Sequence, residues 1–417
     1  MNISDRLTFN LCKLFMVSVL LLHPMLLSAD SVSTKTYREL TEIQELMSSA
    51  TNENLGLKTA IDRLKLLLTE VANGSLDEAL TLQTLGYAVM SDENFEEAIT
   101  YLKRSLDTEK LPQNVVYNVG YMVAQLHAAL GQFQDALVFA EKWFVQLEQP
   151  KADQYIFMAN IHAQVKNHAQ SIPYAEEAIS LAEKPKATWF QLLAANFFEL
   201  DRFGEAALIL IDMTSLWPDN TAYWEQLAGV YMVMEKPQKA LATLKIAFDL
   251  DLLEKESSLK SLVQLALMQG IPEHAARLLE DAIAAELLPL EEQYLDMQAQ
   301  AWVMARESEK AVLTLKKLTE LEDGGEAWMR IAQIHVENTE WSEARAAISN
   351  ALKKDLDSPG RAWLLLGIAQ SELGMFNDAR SALRRAKAFE DTARSAKAWM
   401  RYSEDMKRQA AWITSNQ

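Results

Sequence analysis

The chain has 417 residues, of which 49% are hydrophobic and only 13 are glycine, so it can bury a large core. Alternating strand patterns are absent, which favours an all-α fold. The formal net charge is −18 at pH 7, which disfavours nucleic acid as a partner and favours basic or neutral ligands. The only cysteine is Cys12, so no disulfide can form within the chain.

Residues 1–29 have the pattern of a cleavable secretory signal. A positively charged end precedes an apolar run at residues 14–22, and Ala29 closes a tolerable cleavage site. The run is short for a membrane span, which needs about 20 apolar residues, and an uncleaved anchor is the alternative. A lipid anchor is disfavoured because Cys12 lies before the run. We therefore expect export to a bacterial periplasm, a mature chain that starts near Asp30, and no membrane span in that mature chain.

Residues 30–75 predict a degenerate pair of helices, at 37–49 and 57–72, because apolar residues recur there at helical spacing. The pair lacks the tryptophan and glycine marks of the segments that follow it. Terminal units of repeat arrays are often atypical in this way. We expect this pair to cap the amino-terminal end of a longer array.

Residues 76–391 repeat one pattern nine times. A small residue opens the apolar stripe of every second predicted helix, and the spacings, by subtraction of residue numbers, are 38, 35, 35, 34, 35, 36, 33 and 35. The members are Ala98, Ala136, Ser171, Ala206, Ala240, Ala275, Ala311, Ala344 and Ala379. No linker rich in glycine, serine or proline interrupts the series, so one continuous array is expected.

The most complete copy is Gly360–Phe389, with Trp363 and Gly367 on its first helix and Ala379 on its second. Gly367 and Ala379 are small where two helix backbones must approach closely. This pattern resembles the tetratricopeptide (TPR) repeat. The resemblance implies an all-α, right-handed superhelix (an α-solenoid) of about nine helix-turn-helix repeats with atypical terminal caps. Residues 392–417 predict the carboxy-terminal capping helix, with Trp399, Tyr402, Met406 and Ile413 on its apolar side.

No pattern of catalytic residues is present: there is no CxxC, HExxH, GxSxG or glycine-rich phosphate loop. His127, His162 and His335 share one position of three first helices, so we interpret them as packing residues. A metal site at His162 and His168 lacks a third ligand. We predict that the protein is not an enzyme and has neither cofactor nor metal.

In a TPR stack the first helices line a concave groove, and the residue after the small position of each first helix faces that groove. The resemblance thus predicts a peptide-binding groove, in which side-chain amides pair with the backbone of an extended peptide. The polar residues at that position are Tyr87, Gln125, Asn160, Gln264, Gln300 and Gln333. Flanking positions add Tyr121, Phe157 and Phe198 as apolar anchors, and Asp153, Glu225, Asp296 and Glu326 as acidic anchors for a basic, proline- or lysine-rich segment.

Two alternatives to this groove stay open. The amides can be solvated polar residues without a ligand. The less regular tryptophans can instead supply an exposed anchor, and these are Trp143, Trp217, Trp302 and Trp341.

Two stretches carry a closer resemblance, namely Leu267–Ala276 and Lys397–Tyr402. They are similar to the exported TPR proteins that accompany bacterial TonB, ExbB and ExbD energy-transduction systems. This resemblance implies a periplasmic accessory of TonB-dependent uptake, with a basic periplasmic segment of such a complex as partner. The alternative is an envelope assembly factor for outer-membrane protein, pilus or polysaccharide export.

Overall fold

The computed structural model describes residues 31–49 and 53–415, and within those ranges the chain is helical with no strand. The predicted signal, residues 1–29, lies outside the described residues. The helices are α1 Thr34–Ser49, α2 Glu53–Glu70, α3 Leu76–Ser91, α4 Phe95–Asp107, α5 Gln113–Ala129, α6 Phe133–Phe144, α7 Ala152–Gln164, α8 His168–Leu181, α9 Ala187–Glu199, α10 Phe203–Leu216, α11 Thr221–Val233, α12 Pro237–Asp249, α13 Glu256–Met268, α14 Pro272–Ala284, α15 Glu292–Met304, α16 Ser308–Leu321, α17 Glu326–Glu337, α18 Trp341–Ala351, α19 Pro359–Glu372, α20 Phe376–Ala386 and α21 Ala393–Ser415.

From α3 to α20 the helices follow one another as nine pairs joined by short turns, and every small residue of the series lies on the second helix of its pair. Each of those residues is at most 1% exposed. The predicted fold class, an all-α array of about nine helical hairpins, is confirmed. The chain divides into two compact units, and the boundary between Met213 and Thr214 falls inside α10.

Close backbone approach explains the small residues on the first helices. A Cβ atom added to Gly86 would lie 2.6 Å from the Leu102 side chain, and one added to Gly367 would lie 2.5 Å from the Leu383 side chain. Each leucine follows the small residue of its second helix by four positions, which is one helical turn. Packing therefore favours glycine at both positions, because any larger residue would displace the leucine.

The turn inside every hairpin has the same conformation. The residue five positions before each small residue has a φ between +56° and +74°. These residues are Glu93, Gly131, Lys166, Asp201, Glu235, Gly270, Arg306, Thr339 and Gly374. The next amide donates back to the first helix, as from Met375 N to Gln370 O at 2.8 Å, so a left-handed residue ends each first helix.

Thr339→Gly should stabilise the second unit by roughly 0.5–1 kcal/mol. A β-branched residue in the left-handed region costs about 1–2 kcal/mol, and the greater freedom of glycine in the unfolded chain offsets part of the gain. Urea denaturation measures the change. The matched control is Asn338→Gly, because Asn338 has a φ of −85° and offers no strain to relieve. A Thr339→Gly variant no more stable than the control would contradict the prediction.

Both terminal elements pack on their neighbours. Arg63 of α2 contacts Glu39 and Glu42 of α1 at 2.7 and 3.0 Å, and Ile43 and Leu64 belong to the core that also contains α3 and α4. The second helix of this pair begins at Glu53, four residues before the predicted start.

The closing helix α21 contacts both helices of the last hairpin. Its predicted apolar side is wrong in part, because Tyr402 is 50% and Ile413 is 44% exposed. Ala396 and Ser403 are the buried residues of this helix instead. A small residue allows closer approach to the last hairpin than a long apolar one.

Candidate functional site

Four first helices of the second unit are joined in series by side chains. The Ser258 hydroxyl of α13 donates to the Glu225 carboxylate of α11 at 2.5 Å. The Tyr294 hydroxyl of α15 donates to Glu256 of α13. Arg330 of α17 forms an ion pair with Asp296 of α15. The helices α11, α13, α15 and α17 are therefore successive neighbours within this unit.

Three predicted amides occupy the same position along these helices. Gln264, Gln300 and Gln333 directly follow the buried residues Val263, Ala299 and Ala332, and all three amides are exposed. Gln333 donates to Glu337 one turn later at 3.1 Å. Within the described part of the chain, Gln264 and Gln300 make no side-chain hydrogen bond. We name these three residues the glutamine row.

Apolar side chains lie one helical turn beyond the glutamine row, and the sequence reasoning missed them. They stand three or four positions after the row position, which is Gly229 in α11, Gln264 in α13 and Gln300 in α15, and they are 40–68% exposed. We name them the methionine–valine stripe, which consists of Met232, Val233, Met268, Val303 and Met304. These residues stand four or five positions after the small residue of each first helix, so the repeat pattern could have predicted them. They were missed because a methionine in a helix is usually a core residue.

The four predicted acidic anchors all have partners in the following repeat. Asp153 lies 3.9 Å from Lys186, and Glu326 accepts from the backbone amide of Asp357 at 3.0 Å. Asp296 and Glu225 have the partners given above, and Lys255 also contacts Glu225 at 2.9 Å. Their role as ligand contacts stays a prediction, while the structure shows that they connect repeats.

Glu225 illustrates the electrostatic balance at these connections. Burial alone would raise the pKa of its carboxyl, but hydrogen bonds from Ser258 and Lys255 outweigh burial and hold the pKa below its ordinary value. The carboxylate is thus charged and already paired. The acidic residues that were predicted to contact a basic ligand are therefore largely neutralised by partners within the protein.

The first unit contains the remaining predicted residues in a more closed environment. The Tyr121 ring stacks on Trp143 with centroids 3.8 Å apart, and Phe157 meets Tyr121 edge-on at 5.1 Å. Burial raises the pKa of Tyr121 to about 12, against a smaller effect of its hydrogen bond with Gln125. Gln125 is therefore engaged inside the first unit.

Three further predicted residues of the first unit also have internal contacts. Tyr87 is half-buried, and its hydroxyl accepts from the Gln83 amide at 3.3 Å. The Asn160 amide donates to Ile156 O at 2.7 Å although the side chain is exposed. Phe198 is 45% exposed and meets Phe203 edge-on at 5.2 Å. The predicted groove residues of the first unit are thus mainly aromatic, and their amides form hydrogen bonds within the unit, unlike Gln264 and Gln300.

Two of the irregular tryptophans are not exposed anchors. Trp143 is 3% and Trp302 is 2% exposed, so that hypothesis is wrong for both. Trp302 stands three residues after Ala299, which is the position that His127, His162 and His335 hold in their helices. It is a packing residue in the regular pattern, and Lys310 lies over its ring at 4.5 Å from the centroid.

The three histidines at this position contact their own hairpins. His127 lies 2.6 Å from the Gln132 side chain, and His335 lies 2.6 Å from Glu340. His162 stacks on Tyr174 with centroids 5.3 Å apart. Among residues 31–49 and 53–415, no group of three histidine, cysteine or acidic side chains is placed to hold a metal ion.

His162→Phe should reduce the acid sensitivity of the first unit. Burial lowers the pKa of His162, and the nearby charge of Glu141 opposes this shift only in part. The unfolded chain therefore binds a proton at this histidine below about pH 6.5, where the folded chain does not yet do so. Stability should therefore fall as the pH drops from about 7 to about 5, and phenylalanine removes this contribution while keeping the ring contact. Melting temperatures at both pH values measure it. Equal pH dependence in wild type and variant would contradict the prediction.

No helix in the described part of the chain combines the length and the apolar character needed to cross a bilayer. This finding concerns the described helices only.

The helices and turns described above define an all-α array of TPR-like hairpins. Residues 152–185, which contain α7 and α8, match the family model of the tetratricopeptide repeat. No curated protein matches the sequence significantly.

Several solved TPR structures resemble the chain. YrrB, described as a TPR protein with an unusual peptide-binding site, is 15% identical over 45% of this chain and 91% of its own, with a TM-score of 0.36. MamA from Desulfovibrio magneticus RS-1 is 17% identical over 43% and 96%, with a TM-score of 0.34. The TPR domain of P58(IPK) is 12% identical over 90% and 99%, with a TM-score of 0.25.

Proposed function

We propose that the protein is a non-enzymatic scaffold that binds an extended protein segment along the first helices of its second unit. The observation that carries the proposal is the glutamine row, in which Gln264, Gln300 and Gln333 stand exposed at one position of neighbouring helices. An amide both donates and accepts hydrogen bonds, so such a row can pair with a peptide backbone without reading its sequence.

The methionine–valine stripe supplies the apolar part of the same surface. Methionine side chains are flexible and polarizable and adapt to differently shaped apolar partners. Because the nearby carboxylates of Glu225 and Asp296 are already paired, contacts of the ligand's backbone and apolar side chains should contribute more than basic side chains. The ligand we propose is an extended segment with aliphatic side chains.

The test is selection from a displayed library of random linear peptides, with the triple variant Gln264→Ala, Gln300→Ala and Gln333→Ala. Wild-type protein should enrich peptides, and the triple variant should bind them roughly tenfold or more weakly, because each lost hydrogen bond contributes about 0.5–1.5 kcal/mol. The matched control is Gln134→Ala, Gln238→Ala and Gln409→Ala, which removes three exposed glutamines that lie on second helices or on the closing helix. Equal binding by the triple variant and the control would show that the glutamine row does not contact the peptide.

We further propose that the protein acts in the periplasm as an accessory of TonB-dependent transport. The supports are the signal-like pattern of residues 1–29 and the resemblance of Leu267–Ala276 to exported TPR proteins of TonB systems. Edman sequencing of the exported protein should begin near Asp30, and periplasmic crosslinking should recover TonB, ExbB or ExbD. Recovery of outer-membrane, pilus or polysaccharide export components would favour the assembly-factor alternative.

A further inference from the structure

A second surface of the second unit lies apart from the glutamine row. An open cleft of about 520 Å³ lies among α16, α17 and α18. Its lining residues are Lys316, Thr319, Glu320, Trp328, Asn350, Lys353 and Lys354. Three ammonium groups thus face one carboxylate, in a chain whose net charge is −18.

Over the ranges that the structure describes, the three lysines lack the carboxylate partners that several other lysines of the unit have. Lys255, Lys260 and Lys310 of the same unit each lie within 3.3 Å of a carboxylate. Among the described residues, no acidic oxygen lies within ion-pairing distance of Lys316, Lys353 or Lys354. Lys353 instead donates to the Asn350 side chain at 3.0 Å. Three lysines thus line this cleft without an ion-pair partner from the described residues, beside the single carboxylate of Glu320.

The indole of Trp328 lines the cleft and differs from the corresponding tryptophan of the next hairpin in having no cation of the described residues over its ring. There, Trp363 occupies the same position, four residues before the small residue of its first helix, and the Arg385 guanidinium covers its ring at 4.3 Å. Arg385 stands six residues after Ala379, and the residue six after Ala344 is Asn350. Asparagine is too short to cover the indole, and in the described part of the chain no cation lies over Trp328.

We propose that this cleft binds an acidic protein segment in which carboxylates flank an apolar or aromatic side chain. The carboxylates pair with Lys316, Lys353 and Lys354, and the apolar side chain packs on the Trp328 ring, where Arg385 packs on Trp363 in the next hairpin. The hydroxyl of Thr319 and the amide of Asn350 offer hydrogen bonds to the segment's backbone.

A short segment fits this site better than an extended anionic surface. The residues that line the cleft come from only two consecutive hairpins, which matches the length of a short segment. Lysines exposed singly on a helix are usually only solvated, but here a cleft, an uncovered indole and three unpaired ammonium groups coincide. The lysines of the cleft belong to second helices and the residues after them, whereas Trp328 lies on α17, five residues before Gln333 of the glutamine row.

The test uses a fluorescein-labelled peptide of sequence Gly-Asp-Asp-Phe-Asp-Asp-Gly and fluorescence anisotropy. Wild-type protein should bind it, and the affinity should fall as salt rises because exposed ion pairs are screened. Lys316→Gln with Lys353→Gln and Lys354→Gln should weaken binding by at least about tenfold. The charge-matched control is Lys236→Gln with Lys239→Gln and Lys397→Gln. No binding by wild type, or an equal loss in the control, would overturn the proposal.

The substitution Asn350→Arg distinguishes specific binding in the cleft from non-specific electrostatic attraction. The new arginine should cover Trp328 as Arg385 covers Trp363, so binding should fall by roughly tenfold although the protein gains a positive charge. Tighter binding in this variant would overturn the proposal in favour of non-specific attraction. Displacement of the peptide by millimolar inorganic phosphate, measured at constant ionic strength, would overturn the proposal in favour of a phosphate site. Unchanged circular dichroism and melting confirm that each variant is folded.

Discussion

Trp302→Ala should lower the free energy of unfolding of the second unit by about 3–5 kcal/mol, as is usual when a buried aromatic side chain is truncated. The indole is 2% exposed and fills the space between α15 and its hairpin partner, with the Lys310 ammonium over its face. Truncation leaves a cavity that rigid helical neighbours fill only partly. Urea denaturation, monitored by circular dichroism, measures the loss.

The adjacent residue provides the control for this prediction. Val303 is 44% exposed and belongs to the methionine–valine stripe, so Val303→Ala should change stability by at most about 0.5 kcal/mol. It should instead weaken peptide binding. A Trp302→Ala variant with unchanged stability and weaker peptide binding would mean that Trp302 is an exposed anchor after all.

Gly367→Ala should destabilise the second unit by about 1–3 kcal/mol, although alanine normally favours a helix over glycine by about 1 kcal/mol. The new methyl group would lie 2.5 Å from Leu383 Cγ, an atom close to the backbone that cannot move aside easily. The hairpin must therefore separate or shift. Chemical denaturation of the whole chain, fitted for the second unit, measures the cost.

Gly229→Ala is the matched control, because Gly229 lies inside a first helix of the same unit and its added Cβ would meet nothing within 4 Å. This change should stabilise the unit by up to about 1 kcal/mol. Leu383→Ala should relieve the clash, so the Gly367→Ala, Leu383→Ala double variant should cost less than the sum of the single changes. Simple additivity would show that the two residues do not contact.

The sequence alone was sufficient for the fold class. Helical spacing of apolar residues and a small residue near every thirty-fifth position are local signals, and neighbouring repeats impose the same packing on each copy. The close approach at Gly367 followed from the same pattern, because only a small residue fits where two backbones meet. Even the position of Trp302 could be counted from Ala299, and its misassignment came from treating it as irregular.

Charge pairing between repeats could not be predicted from the sequence. Whether Glu225 or Asp296 faces a ligand or the next helix depends on how consecutive hairpins are rotated, and side-chain contacts across that interface decide it. The same holds for Gln125, whose amide is used by Tyr121, while Gln264 at the equivalent position stays free. From their spacing in the sequence alone, all of these residues were predicted to contact a ligand.

The sequence by itself determined the array of hairpins, since helical spacing and the small residue of each copy depend on contacts within one hairpin or its immediate repeat period. Only the tertiary structure decided which charges are already paired, which tryptophans are buried, and that Trp328 lines a cleft beside three lysines without a carboxylate partner among the described residues. These properties depend on distances between side chains of different helices, and such distances are set by packing between helices.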